Sequence, residues 1–149
     1  VPLGQQRDPL AAQHEIGRTQ DEIGDLAHPQ RWFRPFGGGG NLDARLLKPS
    51  GVKYITRNKP SFVLWNAIPR DWDDPDGWID RALAQCRERG WSLMALHDIA
   101  SGAMRHLDRF LGAAIDQGAR LRQDFPPDCV LMVDGIATDR FTDYVSGKE

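Results

Sequence analysis

Two short apolar runs constrain this chain more than any other feature. Ser61 to Ala67 reads S-F-V-L-W-N-A and Trp91 to Leu96 reads W-S-L-M-A-L, each without a charge. Runs of this length are the pattern of strands covered on both faces. Such strands need helices over them, and the sequence supplies amphipathic patterns. One runs from Trp78 to about Arg89, with Trp78, Ile79, Ala82, Leu83 and Cys86 on one face and Gly90 as its stop. Another spans Gly102 to Gln117, with Met104, Leu107, Phe110, Leu111, Ala114 and Ile115 turned inward and Gly118 as its cap. An earlier helix is expected after Asp8 and Pro9, which suit an N-cap and first position. It carries Leu10, Ile16, Ile23 and Leu26 near helical spacing and ends by Gln30.

The remaining pieces fit the same scheme. Arg31–Phe36, Val52–Thr56, Ala119–Gln123 and Cys129–Val133 are strand candidates, and Asn41–Leu47 a helical turn. Residues 135–149, above all from Thr138 on, read as a polar surface tail. Strands alternating with helices give an α/β chain with a largely parallel sheet. The 149 residues have the length of one domain. A net charge of −2 leaves no basic excess for a phosphate backbone, so nucleic acid is excluded as a partner. No apolar run approaches the roughly 18 residues of a membrane span. Two cysteines, Cys86 and Cys129, cannot make a four-thiolate metal site and read as free thiols.

In parallel α/β folds reactive groups gather past the C-terminal ends of strands. Three such ends carry chemistry here. They are Arg34-Pro35-Phe36 running into Gly37 to Gly40, Trp65-Asn66 followed by Asp71-Trp72, and Leu96-His97-Asp98. An arginine, an aspartate beside a tryptophan, and a histidine on one rim form an acid/base constellation beside an apolar wall. The glycine run lacks the following Gly-Lys-Ser/Thr of a phosphate loop and reads as a loop shaped for substrate approach. The acidic run Asp71, Asp73, Asp74, Asp76 lacks the closing glutamate of a calcium loop, and Asp76 reads as the cap of the helix at Trp78.

The segments W-F-R-P-F-G-G, L-W-N-A-I-P-R-D-W and L-M-A-L-H-D-I resemble, in order and spacing, the third, fourth and fifth motifs of the NodB-homology polysaccharide deacetylases. The resemblance runs from about Asp8 to Asp134. It implies a distorted (β/α) barrel and hydrolysis of acetamido C–N bonds on a carbohydrate, with a divalent metal, commonly zinc, polarising the acyl carbonyl. It implies that His97 protonates the departing amine and that Asp71 pairs with that imidazole and favours its charged form. Arg34 would hold the catalytic carboxylate, and Trp72 and Leu96 would form the slot for the acetyl methyl. Phe36 stands where the family often has a tyrosine, and would contact the sugar without the hydroxyl. Asn66 stands where the family often has an aspartate, a change expected to alter one local hydrogen bond.

The family holds its metal with an early T-F-D-D aspartate and an H-x-x-x-H pair. Neither occurs, and no two of His14, His28, His97 and His106 are four apart. His14, His28 and His106 read as surface residues. The opening residues resemble the stretch just downstream of H-x-x-x-H. The expectation is therefore a partial barrel, a single incomplete catalytic-type domain without the first strands, the base or the metal ligands, and inactive alone. Two alternatives stand beside this reading: a carbohydrate-binding or interaction module that keeps the groove without the metal, and a cyclic-amide hydrolase of the same fold.

A partial barrel leaves sheet edges open to a complementing N-terminal segment or a second copy. Light scattering of the purified chain should then find an assembled species. A monodisperse monomer with cooperative thermal unfolding would contradict it.

Overall fold

A computed structural model describes residues 1–147. The chain is mixed α/β and divides into two compact units, one formed by Val1–Leu64 and the segment from Val130 on, the other by Trp65–Cys129.

The first unit is built on a four-stranded open sheet ordered β1-β2-β3-β4, with β1 at Trp32–Phe33, β2 at Ser61–Val63, β3 at Val130–Val133 and β4 at Ile136–Ala137. β1 and β2 are parallel, with Phe33 opposite Phe62. The other pairs are antiparallel, so the sheet is mixed rather than largely parallel. Antiparallel pairing of β3 and β4 follows from the turn at Asp134-Gly135, where φ is 49° and 83°. That is the backbone of a two-residue hairpin, which returns the chain beside itself without a crossover helix. Phe62 is fully buried, with Phe33 at 5.7 Å and Phe141 edge-on at 5.8 Å. The Ser61 hydroxyl, also buried, accepts the Asp134 N–H at 3.0 Å.

Val52–Thr56 is not a strand. It lies inside helix α2, Pro49–Asn58. The alternation of V-K-Y-I-T is local, whereas Gly51 and Ile55 stand one helical turn apart and both are buried. Pro49 supplies a preset φ in the first turn, and Lys59 ends the helix in the left-handed conformation at φ 51°. The earlier helix forms as expected but irregularly: a π-helical turn at Gln13–Gly17 continues into α1, Arg18–Ile23. Asp8 Oδ1 accepts the Leu10 N–H at 2.9 Å, the N-cap bond expected of it. Its apolar face is thinner than the pattern suggests. Ile16 is buried, but Leu10, Ile23 and Leu26 are exposed.

The segment from Thr138 is not a surface tail. A 3-10 helix at Asp139–Tyr144 buries Phe141 and Tyr144, and Leu47 N–H and C=O bond Tyr144 and Ser146. Aromatic residues spaced three apart, one turn of a 3-10 helix, outweigh the polar composition around them. Asn41–Leu47 makes turns and ends in a bridge to Val145.

The second unit packs two helices, α3 (Trp78–Glu88) and α4 (Leu107–Asp116), the latter entered through a 3-10 turn at Ala103–His106. Its core is Trp78, Ile79, Ala82, Leu83, Ala103, Phe110 and Ala114. Trp78 is fully buried, donates Nε1–H to the Ala103 carbonyl at 3.1 Å and lies 5.2 Å from Phe110. An indole of this kind removes roughly 150–250 Å² from water, about 4–6 kcal/mol at 25 cal/mol per Å². Ile115 faces solvent, unlike its expected inward placement. Gly118 closes α4 with φ 88°.

Trp91–Leu96 is extended and pairs with residues 66–67 in a single parallel bridge, Ala67 to Met94, rather than in a full strand. Ala119–Gln123 is coil, with Leu121 exposed and Arg122 stacked 4.2 Å over the Trp91 ring. Asn66 ties the extended segments together. Its Oδ1 accepts the Leu93 N–H at 2.7 Å, and its Nδ2 donates to the Trp91 carbonyl at 3.0 Å and to Asp128 at 3.2 Å.

An aspartate at position 66 has no donor for two of those bonds. Asn66→Asp should lower unfolding stability by about 1–3 kcal/mol at neutral pH, and recover part of it as acid protonates the new carboxyl. A urea midpoint that does not move would contradict the role given to this amide.

Candidate active site

The second unit brings together three of the side chains that the sequence motifs single out: Asp71, Trp72 and His97. Asp71 is wholly buried and uses both carboxylate oxygens on one residue. Oδ2 accepts the His97 backbone N–H at 2.8 Å, and Oδ1 lies 2.9 Å from His97 Nδ1. A buried carboxylate is tolerated only when its lone pairs meet donors. With Oδ1 accepting, Nδ1 is the protonated nitrogen, and Nε2 is the one left for exchange with a substrate. The imidazole is partly exposed, at 35%. Trp72 meets it edge-on, with ring centroids 4.7 Å apart.

Local sequence explains the arrangement. Ile68-Pro69 brings the chain out of the extended segment, and Arg70 turns it with φ 58°. The Arg70 carbonyl accepts the N–H groups of Asp73 and Asp74, closing the turn beneath Asp71 and Trp72. Asp74, not Asp76, serves the start of α3. Its Oδ1 accepts the Gly77 N–H at 3.0 Å, and a Cβ on Gly77 would stand 2.4 Å from Oδ2. The Arg81 guanidinium, bonded to Asp74 at 2.9 Å, and the Gly77 amide hold that carboxyl below its ordinary range. Asp76 instead pairs with His106 at 2.9 Å and with Arg105, and is likewise held low, His106 being the larger cause. Asp73 pairs with Arg70. The acidic run is thus taken up by partners within the protein itself.

Sequence reasoning misses Arg70. Its guanidinium lies 5.4 Å from the Trp72 ring, which puts a cation against the ring that meets His97. The signal is the P-R-D-W order itself, with an arginine two residues before the tryptophan. Leu96 is half-buried and packs against the α3–α4 core, so its side chain serves that core as well as the strand end beside His97.

Arg34 and Phe36 belong to the first unit, just past β1. Arg34 is exposed and has no hydrogen bond or ion pair among the described residues; removal of water around its guanidinium lowers its pKa, and it stays charged at neutral pH. Phe36 is 54% exposed. The glycines after it adopt positive φ at Gly38, Gly39 and Gly40, backbone that favours glycine.

The divalent metal implied by the resemblance finds no fitting ligand set. Among the described residues no group of three or more His, Cys, Asp or Glu side chains is gathered for an ion. His14 pairs with Asp8, His97 with Asp71 and His106 with Asp76, while His28 Nδ1 accepts the Gln30 N–H. Neither Cys86 nor Cys129 is in a disulfide among the described residues. Comparison with family models, with curated proteins and with solved structures finds no match.

The paired aspartate and histidine make a definite expectation. In Asp71→Asn the side-chain oxygen is needed by the His97 N–H, so the amide NH₂ faces Nδ1 and reverses the tautomer. Imidazole ¹⁵N spectra should show neutral His97 protonated on Nδ1 in the parent and on Nε2 in the variant. The same tautomer in both would remove Asp71 from its orienting role.

Proposed function

We propose that this chain carries the leaving-group side of an amide hydrolase of the polysaccharide deacetylase type, acting on acetamido groups of a carbohydrate. The observation that carries the reading is the Asp71–His97 pair with Trp72 set edge-on against the imidazole. A nitrogen leaving group departs as a strong base unless it is protonated as the C–N bond breaks. With Nδ1 committed to Asp71, Nε2 of His97 is the atom that hands over that proton, and the buried carboxylate offsets the charge on the ring as the proton arrives and leaves. Trp72 and Leu96 offer the acetyl methyl an apolar wall, and the Arg70 guanidinium against the Trp72 ring helps to hold that wall.

Arg34, as holder of a catalytic carboxylate, and Phe36, as a sugar contact, enter this reading through the motif resemblance, as does a (β/α)-barrel frame. The metal enters only as a requirement of the intact catalytic site, and no ligand for it is assigned among the described residues. The carbohydrate-binding module and the cyclic-amide hydrolase remain as the two outcomes that a test must separate from it.

Titration of the ¹⁵N-labelled chain with N-acetylglucosamine oligomers should shift resonances at Trp72, Leu96 and His97. In the full gene product, acetate release should fall by about 10²–10⁴-fold in His97→Ala. Shifts without acetate release support the binding module. Ring opening of a cyclic amide without acetate release supports the third reading. Acetate release that survives loss of His97 overturns the proposed role.

A further inference from the structure

The first unit holds an open cleft of about 530 Å³ between the helical stretch at residues 13–23 and α2, a volume in the range of small-molecule sites. Its chemistry is unusual for such a site. Apart from the Tyr54 ring, no apolar side chain lines it. Arg18, Arg31 and Arg57 face it together with His14, against a single carboxylate, Asp21.

Several of these groups are held in place yet not used up. Arg31 is a non-glycine residue in left-handed backbone, φ 50°, and its Nη1 donates to the Asn58 carbonyl at 3.2 Å. That bond fixes the head group and leaves the remaining N–H donors of the fork. The Arg57 guanidinium and the Tyr54 hydroxyl have no hydrogen-bond partner among the described residues. The hydroxyl is positioned by the absence of a side chain at Gly17, where a Cβ would stand 2.6 Å from it. Among the described residues, Arg18 is paired with Glu22 and His14 with Asp8, while Arg31 and Arg57 have no carboxylate partner.

We propose that this cleft binds a phosphoryl group, either free phosphate or a phosphate ester of a small molecule, with Arg31, Arg57 and the Tyr54 hydroxyl as its donors. A cleft with excess guanidinium and almost no apolar wall selects a compact anion over an apolar ligand. Weakly hydrated, forked guanidinium groups match phosphoryl oxygens in pairs. A long polyanion fits poorly, because Glu15, Asp21 and Glu22 lie on the same helix and the chain as a whole is at −2. The site lies wholly in the first unit, uses neither Asp71 nor His97, and stands whether or not the deacetylase reading holds.

The test is a titration of the full chain, at constant ionic strength, with inorganic phosphate, glucose 6-phosphate, acetate and glucose, followed by amide and Tyr ring resonances. Phosphate and glucose 6-phosphate should both saturate at Tyr54, Arg57 and Gly17, and glucose should not. Arg57→Gln, an exposed substitution, should weaken phosphoryl binding by about tenfold or more, and Tyr54→Phe by roughly threefold. Tighter binding of the ester assigns the site to a phosphorylated metabolite; equal affinities assign it to free phosphate. The proposal is overturned if phosphate does not saturate, if both variants bind as the parent does, if acetate competes on equal terms, or if only an oligonucleotide binds.

Discussion

The second unit is organised around the need to satisfy one buried carboxylate. Asp71 is fully removed from water, and an ion in that position is stable only with donors on both oxygens. Both donors come from His97, one from its backbone and one from its ring. The carboxylate therefore fixes where the extended segment ending in Leu96 must stop, as well as how the imidazole is turned. The turn at Arg70 delivers Asp71 to that point, and Asp74 and Gly77 take the chain from it into α3. The Trp78–Phe110 core then holds α3 in place. The polar and apolar parts of the unit depend on one another: a shift in the core would move the turn and leave Asp71 buried without its donors.

Close approaches play the same part in the first unit. A Cβ on Gly4 would stand 2.3 Å from the Arg45 carbonyl, so the N-terminal segment lies directly on the backbone of the chain before α2. Lys48, almost wholly buried, reinforces the contact through its Nζ, which donates to the Gln6 carbonyl at 2.6 Å. Gly17 against the Tyr54 hydroxyl and Ala12 against Gly51 bring the two helical segments near enough to form the cleft.

Several parts of this architecture are readable from the residues in order. The helices at Trp78 and Leu107, the strand cores at Phe62 and Leu131 and the Asp8 cap all follow from patterns complete within a few residues, and the pairing of Asp71 with His97 is what the motif resemblance implies. The errors share a cause. Val52–Thr56 alternates like a strand, yet it lies inside α2, whose Gly51 and Ile55, four apart, are buried on one helical face. Ala119–Gln123 has strand composition but pairs with no strand among the described residues. The Asp134-Gly135 pair is a legible hairpin signal, and it helps to make the sheet mixed. Asn66, expected to alter one local bond, makes three with protein groups up to 62 residues away.

The sequence by itself determined the α/β class, the absence of a basic or cysteine-rich character, and the types of group available for chemistry, because composition and periodicity act over a few turns of chain. Only the tertiary structure decided that Asp71 spends both oxygens on His97, that Asp73, Asp74 and Asp76 are paired with Arg70, Arg81, Arg105 and His106, and that Arg31, Tyr54 and Arg57 line one cleft. Those partners are set by distance in space, which hydrogen bonds and ion pairs sense and which spacing along a chain does not encode.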